Sequence, residues 1–261
     1  MDAHPDSVDA VTQVSRWIDA ARRVVVLTGA GISTDSGIPD FRGPQGVWTK
    51  NPGAERRANI HNYLSDPDVR RRSWQDRLSS PAWKAEPNAG HRALVTLERR
   101  GKLDTLVTQN IDGLHQRAGS DPARVVEIHG TIHWAVCWSC GHRRPMQEVL
   151  DRVRAGDPDP ACLAPSGPGT CGGILKSATI SFGQSLVPED LARAERAATS
   201  CDLLLAVGST LTVFPAAGLA PAACEAGARL VILNAEPTPY DDVADAVLRA
   251  PISDVLPAVV D

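Results

Sequence analysis

Seven short apolar segments recur along the chain, and they constrain its fold more than any other feature. They show no alternation of apolar and polar residues, and segments of helical periodicity separate many of them. Runs of this kind are typical of parallel strands covered by helices on both faces of a sheet. The segments are VVVLT (24–28), DTLVTQN (104–110), VVEIH (125–129), ATISF (178–182), LLLAVG (203–208), RLVILN (229–234) and AVLR (246–249). The sequence therefore predicts an α/β fold with a doubly wound, Rossmann-like parallel sheet.

Two segments interrupt the alternation of strands and helices. Helices are predicted over 8–21, 88–100, 189–199 and 215–226, with Asn88 as an N-cap. Residues 46–87 are polar and arginine-rich, whereas 136–175 carry four cysteines. We expect one domain over 1–261, with a large Rossmann-like part at about 1–45, 88–135 and 176–261. The smaller part then consists of the helical insertion at about 46–87 and the zinc-binding insertion at about 136–175.

Composition limits the classes of function. The 261 residues are 43% hydrophobic and carry a formal net charge of -4, which argues against a general nucleic-acid binder. No apolar run approaches the roughly 20 residues that span a bilayer. The first ten residues, MDAHPDSVDA, lack the basic and apolar regions of a secretory leader. We therefore expect a cytoplasmic protein without a membrane partner.

A glycine-rich stretch, GAGISTDSGIPDFRGPQGVW (29–48), follows the first predicted strand directly. The turn from Gly29 to Gly31 allows a close backbone approach to a pyrophosphate, as in dinucleotide sites. The next glycine is Gly37, however, so the spacing departs from G-x-G-x-x-G, and the glycines alone fit a tight connection equally well. The neighbouring residues 40–42 place a carboxylate, an aromatic ring and a guanidinium in a loop that proline stiffens, and this favours a binding site.

Polar side chains also follow later strands of the predicted sheet. Gln109, Asn110 and Asp112 lie at the end of the second strand, and His129 ends the third. Ligands of open parallel sheets bind at these carboxyl ends. A lone histidine there is more often structural, but its near-neutral pKa and its polar neighbours suit His129 to general base catalysis.

Together the glycine stretch, TQNIDGLH, IHG, two cysteine pairs, GST and LNAE resemble the sirtuins of bacterial type, which are NAD-dependent protein deacylases. The motifs run in the family's order from about Arg23 to Ala250. The resemblance implies a lysine deacetylase or deacylase that transfers the acyl group to ADP-ribose and releases nicotinamide. In that reaction the amide oxygen of the acyl-lysine attacks the anomeric carbon of NAD, beside Asn110, and His129 acts as general base on the ribose hydroxyls.

The resemblance also implies which residues contact NAD and the substrate. It implies that the substrate is an acylated-lysine protein or peptide. Phe182, Gly183 and Val213 are expected to bind that substrate. The NAD contacts are Gly29, Ala30, Gly31, Asp40, Phe41, Arg42, Gln109, Asn110, Ile111, Asp112, Gly208, Ser209, Thr210, Asn234, Glu236 and Ala250.

Four of the six cysteines lie within 137–171, which favours a metal site over a disulfide framework. Cys137, Cys140, Cys162 and Cys171 have the spacing C-x₂-C-x₂₁-C-x₈-C. Tetrahedral zinc on four thiolates is the expected structural metal. Because the second pair is wider than usual in sirtuins, His142 or His133 stays open as an alternative fourth ligand.

Two other functions remain open on the sequence. The same loop and base would serve a mono-ADP-ribosyltransferase, because ADP-ribose then passes to another nucleophile. A non-catalytic NAD-binding or zinc-containing interaction module is the second alternative. Asn110, Asp112 and His129 argue against that second alternative, since an idle site has no need of all three.

The acyl preference is predicted from the helical insertion. Sirtuins that remove malonyl or succinyl groups resemble one another in a Tyr-x-x-Arg pair, and the nearest equivalent here is Trp74 with Arg77. Tryptophan lacks the phenolic donor, and the adjacent Asp76 is expected to neutralise Arg77. The sequence therefore predicts that acetyl or longer neutral groups are removed in preference to succinyl.

Overall fold

The computed structural model describes residues 8–41, 43, 46–50 and 52–261. The α-helices are α1 (Val8–Ala20), α2 (Val47–Lys50), α3 (Pro52–Arg57), α4 (Ile60–Ser65), α5 (Pro67–Leu78), α6 (Ala89–Arg99), α7 (Leu114–Ala118), α8 (Met146–Arg154), α9 (Pro188–Ala198), α10 (Leu219–Glu225) and α11 (Ile252–Val260). Short 3₁₀ helices occupy Ala30–Ser36, Pro81–Trp83, Ala216–Gly218 and Asp241–Val243. The strands are β1 (Val24–Thr28), β2 (Leu103–Thr108), β3 (Val125–Glu127), β4 (Gly130–Cys137), β5 (Arg143–Pro145), β6 (Pro165–Ser166), β7 (Gly169–Thr170), β8 (Leu175–Thr179), β9 (Leu203–Val207), β10 (Arg229–Leu233) and β11 (Ala246–Leu248).

Six of these strands form a parallel sheet in the order β11-β10-β9-β1-β2-β3. Every residue of β1 and of β9 is buried, as the unbroken apolar runs predicted. The strand order reverses beside β1, which lies in the middle of the sheet. The predicted doubly wound fold is confirmed, and the reversal opens a crevice at the carboxyl ends of the strands.

Helices cover both faces of the sheet. The apolar residues of α1, α6 and α11 form one core with the strands, and those of α9 and α10 form the other. Asn88 caps α6 as predicted, since its Oδ1 accepts the His91 backbone N–H at 3.3 Å. The segment predicted as one helix over 215–226 divides into the 3₁₀ turn Ala216–Gly218 and α10.

The described chain also contains a second, three-stranded sheet. β4 pairs antiparallel with β5 and β8, and a separate apolar core joins Trp74 of α5 to α8 and the cysteine region. The prediction of a parallel strand over 178–182 is wrong. The strand is Leu175–Thr179, and it pairs with β4, because Cys137 and Leu175 bring these two strands together beside the cysteine cluster. No helix in the described ranges is long and apolar enough to cross a bilayer.

Candidate active site

A cavity of about 1130 Å³ lies at the carboxyl edge of the parallel sheet. Residues that follow each of the six strands line it, so the topology alone brings the predicted groups together. Residues of β8 and of the segment that follows it line another side. From the six strand ends come Gly29, Gln109, His129, Gly208, Asn234 and Ala250.

The glycine turn after β1 is pressed against the turn after β9. Gly29 donates its N–H to the Val207 carbonyl and Gly31 donates to that of Gly208, each at 2.9 Å. A Cβ on Gly29 would lie 2.6 Å from the Gly208 oxygen, and one on Gly31 would lie 2.7 Å from the Gly208 Cα. Glycine is therefore required here by the close approach of two backbone segments of the protein itself, in addition to any close approach of a ligand.

Three polar side chains interlock beneath this turn. The Asp112 carboxylate accepts hydrogen bonds from Ser33 Oγ at 2.8 Å and from the Leu114 N–H at 2.9 Å. Asn110 Nδ2 donates to the Gly29 carbonyl at 3.0 Å and to Ser33 Oγ at 3.2 Å. Sequence reasoning missed Ser33, because a serine in a glycine-rich loop is common and only the folded chain shows its burial.

Two buried histidines lie behind the polar group. His91 Nε2 is 3.5 Å from Ser33 Oγ, and its ring centroid is 5.0 Å from that of His115. Burial lowers the pKa of His91 to about 4, and burial lowers the pKa of His115 well below its usual value. Both rings are therefore neutral at physiological pH.

His129 is held in one tautomer by its backbone neighbour. Its Nδ1 lies 3.1 Å from the Gln109 carbonyl oxygen, which can only accept, so Nδ1 carries the proton and Nε2 keeps its lone pair. Burial lowers the pKa of His129, and the hydrogen bond to Gln109 opposes part of that change. The ring therefore stays unprotonated at neutral pH and is suited to accept a proton in the cavity.

The far end of the cavity is built from the turns after β9, β10 and β11. Ser209 Oγ accepts from Gln109 Nε2 at 2.8 Å, which links this end to the residue that follows β2 and whose carbonyl contacts His129. Asn234 Nδ2 donates to the Glu236 carbonyl at 2.7 Å. The remaining predicted residues of this end, Gly208, Thr210 and Ala250, line the same cavity.

The first loop contributes Ala30, Asp40 and Phe41 to the cavity lining. Asp40 Oδ1 accepts the Gly43 N–H at 3.0 Å, and the ring of Phe41 is 44% exposed. Ile111 lines the cavity beside Asn110 and Asp112. Arg42, the predicted guanidinium of this loop, lies outside the described residues.

The cavity mouth carries the predicted substrate residues. Phe182 bridges to the helical insertion, since it donates its N–H to the Ala58 carbonyl and accepts from the Ile60 N–H, each at 2.9 Å. Phe182, Gly183 and Val213 all line the cavity. The adjacent Phe214 is 69% exposed, so the mouth presents apolar surface to solvent.

The four predicted cysteine ligands cluster apart from the cavity lining, with all their sulfur atoms within 4.8 Å of one another. The Sγ atoms of Cys137 and Cys171 are 3.7 Å apart, and those of Cys140 and Cys162 are 3.8 Å apart. Zinc–sulfur bonds of about 2.3 Å in a tetrahedron give sulfur separations of about 3.8 Å. The donor set therefore fits zinc, and Cys171 occupies the fourth position.

The two histidines that stayed open as zinc ligands are outside this cluster. His133 Nε2 donates to the Asp112 carbonyl at 2.9 Å, and its ring makes an edge contact with Trp83. His142 is exposed, and its backbone carbonyl accepts the Cys137 N–H at 2.9 Å.

The predicted partnership of Asp76 with Arg77 is not present. Asp76 accepts a hydrogen bond from Arg57 Nε at 2.8 Å instead. Trp74 is fully buried, and Arg77 lines the cavity with Tyr63 and Lys176. Sequence reasoning missed Tyr63 and Lys176, because they lie far apart in the chain and meet only in the folded protein.

Known proteins share this sequence and geometry. The sequence model of the Sir2 family matches residues 29–215. NAD-dependent protein deacetylase 2 of Streptomyces coelicolor is 53% identical over 236 residues, which cover 90% of this chain and 95% of that protein. NAD-dependent protein deacetylase 1 of Bradyrhizobium diazoefficiens is 42% identical and covers 96% of this chain and 95% of its own. A Sir2 structure with a deacetylated p53 peptide and 3'-O-acetyl ADP ribose aligns with a TM-score of 0.86 at 32% identity, over 95% of this chain and 96% of that one. With its fold, its strand-end site and its cysteine cluster, this chain belongs to the Sir2 family.

Proposed function

We propose that this chain is an NAD-dependent protein lysine deacetylase, a deacylase that transfers the acyl group to ADP-ribose and releases nicotinamide. One observation carries the proposal. His129 keeps an unprotonated Nε2 in the same cavity as Asn110 and Asp112, which gives a base beside a polar pocket. The relatives named NAD-dependent protein deacetylases support the same activity.

The cavity fits a dinucleotide from end to end. The glycine turn after β1 and the turn after β9 present backbone groups to a pyrophosphate, while Asn234 and Glu236 face the adenosine end. Asn110 and Asp112 line the same cavity, where the proposal puts the nicotinamide. Bound NAD supplies an anomeric carbon from which nicotinamide departs.

His129 performs the proton transfer in this proposal. Its Nε2 accepts a proton from a ribose hydroxyl, while the Gln109 carbonyl holds the protonated Nδ1 and so orients the ring. Asn110, fixed by the Gly29 carbonyl and Ser33, positions groups at the reacting carbon. Water finally releases the free lysine and an O-acyl-ADP-ribose.

The substrate is an acylated lysine in a protein or peptide. Phe182, Gly183 and Val213 line the cavity mouth, where an extended peptide can lie across the apolar surface. A Sir2 neighbour of this fold was solved with a p53 peptide and NAD, which supports a peptide at the same mouth. Nothing in the charge of the chain favours a nucleic acid.

Zinc has a structural role in this proposal. Four thiolates close the tetrahedron, so no position is left for a catalytic water. We also propose a single catalytic domain, in which the large Rossmann-like part and the two insertions meet around the cavity. Reduced cysteines that bind zinc are typical of the cytoplasm, which is the location we propose.

A measurement of nicotinamide release separates this function from its alternatives. Purified protein is given NAD with a peptide that carries acetyl-lysine, and in parallel with the same peptide carrying unmodified lysine. Release that requires the acetyl group, with equal amounts of deacetylated peptide, is the expected result. Release without it, with ADP-ribose attached to protein, would identify a mono-ADP-ribosyltransferase. NAD binding without any release would identify a non-catalytic module.

A further inference from the structure

The turn at residues 111–113 lies between β2 and α7, and Ile111 and Asp112 line the cavity there. In the described part of the chain, the backbone N–H groups of these two residues have no acceptor. The Asp112 carboxylate accepts from Ser33 Oγ and from the Leu114 N–H, and its two oxygens keep further lone pairs. The turn therefore offers donors and acceptors side by side, which complements a primary carboxamide such as that of NAD.

Two consecutive residues of β4 hold this turn. Ile132 donates its backbone N–H to the Ile111 carbonyl at 2.9 Å, and His133 donates from Nε2 to the Asp112 carbonyl at 2.9 Å. A carbonyl oxygen only accepts, so His133 Nε2 carries a proton whether the ring is neutral or charged. The first bond is available to any residue except proline, because it uses the backbone. The second depends on the histidine side chain.

The ring of His133 also packs directly against the turn. Gly113 has a φ of 83°−12° below the value of Gly37, that is +71°, and a Cβ added to it would lie 2.6 Å from His133 Nε2. The ring thus occupies the space that a side chain at residue 113 would need, and glycine is required there for both its φ and this contact. Together the contact and the hydrogen bond fix the Asp112 peptide group relative to β4.

Other neighbours fix the orientation of the His133 ring. Trp83 makes an edge contact with it at 5.8 Å between ring centroids, and the Trp83 indole is itself held because Nε1 donates to the Arg77 carbonyl at 2.6 Å. Burial raises the pKa of Glu127, and the nearby His133 is among the groups that oppose this change. His133 is not part of the cavity lining, so it acts on the cavity through the turn at 111–113.

We propose that His133 is a positioning residue for the carboxamide of NAD, because its Nε2–H holds the Asp112 peptide group and so orients the turn at 111–113 towards the nicotinamide. This inference rests on the proposed deacylase function and assigns a role to a histidine that the sequence left open as a zinc ligand. Without this bond the Asp112 carbonyl has no donor among the described residues. The turn is then free to shift, which weakens every hydrogen bond that it makes to the carboxamide.

The test separates the donor from the ring. His133→Phe keeps a ring beside Trp83 and removes the donor, whereas His133→Gln removes the ring and places an amide N–H near the position of Nε2. Nicotinamide is a product that rebinds to its own site, so its Ki reports on the carboxamide contacts. His133→Phe should raise this Ki and the KM for NAD about 5- to 20-fold, and His133→Gln should keep both within about threefold. The Kd for ADP-ribose, which lacks nicotinamide, and the KM for an acetyl-lysine peptide should stay within about twofold in both variants.

His61→Phe is the matched control, because His61 is exposed on α4 and does not line the cavity, and it should change none of these values. His133→Asn, whose amide is too short to reach the Asp112 carbonyl, should behave as His133→Phe and serves in its place if that variant does not fold. The proposal is overturned if the glutamine variant is impaired and the phenylalanine variant is not, since packing of the ring then matters. It is overturned also if the Kd for ADP-ribose rises as much as the Ki for nicotinamide.

The same experiment distinguishes this inference from the proposed function. Normal nicotinamide release by the wild-type protein, with an unchanged Ki in the variants that lack the donor, overturns the role of His133 alone. A wild-type protein that releases no nicotinamide with the acetyl-lysine peptide overturns the proposed function and this inference with it.

Discussion

Substitution of Gly31 by alanine tests the contact between the turns after β1 and β9. The new Cβ would lie 2.7 Å from the Gly208 Cα and 3.0 Å from the Gly208 oxygen, whereas ordinary contact begins at 3.4 Å. The two segments must therefore separate by about 0.7 Å, the difference between 2.7 and 3.4 Å. Both clashing atoms are backbone, so no side-chain rotation relieves the clash. The separation also weakens the 2.9 Å hydrogen bond from the Gly31 N–H to Gly208.

The expected cost follows from overpacking. Forcing one methyl group into a close-packed contact costs about 2 kcal/mol, which lowers the Tm of a chain of this size by about 4–8 °C. Because the same turns form the proposed pyrophosphate site, the KM for NAD should rise by about tenfold or more. Thermal unfolding followed by circular dichroism, with steady-state kinetics on an acetyl-lysine peptide, measures both effects.

Gly169→Ala is the control for this experiment. Gly169 lies in β7, and a Cβ there would meet nothing within 4 Å. Its Tm should therefore stay within about 2 °C of wild type, and its KM for NAD should not change. A Gly31→Ala protein that melts with the control and keeps the wild-type KM would refute the reasoning, because the two turns would then be able to separate freely.

The remaining predictions concern the base, the metal and pH. His129→Ala should lower turnover by 10²–10⁴-fold and leave the Kd for NAD within about twofold, so turnover above about a hundredth of wild type would remove His129 from the role of base. Because burial lowers the pKa of His129, the acid limb of log(kcat/KM) against pH should have its midpoint below pH 6.5, and a midpoint above it would contradict the assignment. Cys171→Ser should lose the one zinc per chain that we expect from metal analysis, along with much of its stability, while Cys201→Ser keeps the metal. The buried His91 and His115 titrate below their unfolded pKa of about 6.5, so the unfolded state binds more protons under that pH and stability should fall from pH 6.5 towards 4. A urea midpoint that does not change between pH 7.5 and 5 would contradict this.

Much of the site could be predicted because it follows from local signals and one topological rule. Apolar runs without alternation indicate buried parallel strands, and the residues after such strands meet at one edge. Gln109, His129, Gly208 and Asn234 therefore come together whatever the detailed packing of the helices. The cysteine spacing similarly indicated a metal cluster, since a single reversal of the chain direction brings two pairs of cysteines together.

Other features could not be predicted, because they depend on pairs of residues that are distant in the chain. The apolar run at 178–182 resembles the other predicted strands. Only the folded chain shows that its first residues belong to β8, which pairs antiparallel with β4. Sequence adjacency suggested that Asp76 neutralises Arg77, whereas the helix directs that carboxylate to Arg57.

The sequence by itself determined the buried strands of the parallel sheet, the polar residues at their ends and the four cysteines as candidate metal donors. Periodicity and turn chemistry are properties of short segments, because they depend only on residues that are adjacent in the sequence. Only the tertiary structure decided that Ser33 is buried against Asp112 and that Gly31 contacts Gly208. It also decided that Lys176 and Arg77 line the same cavity. Burial, close backbone contact and charge partnership are set by which segments of the chain become neighbours in space, and no local pattern records that.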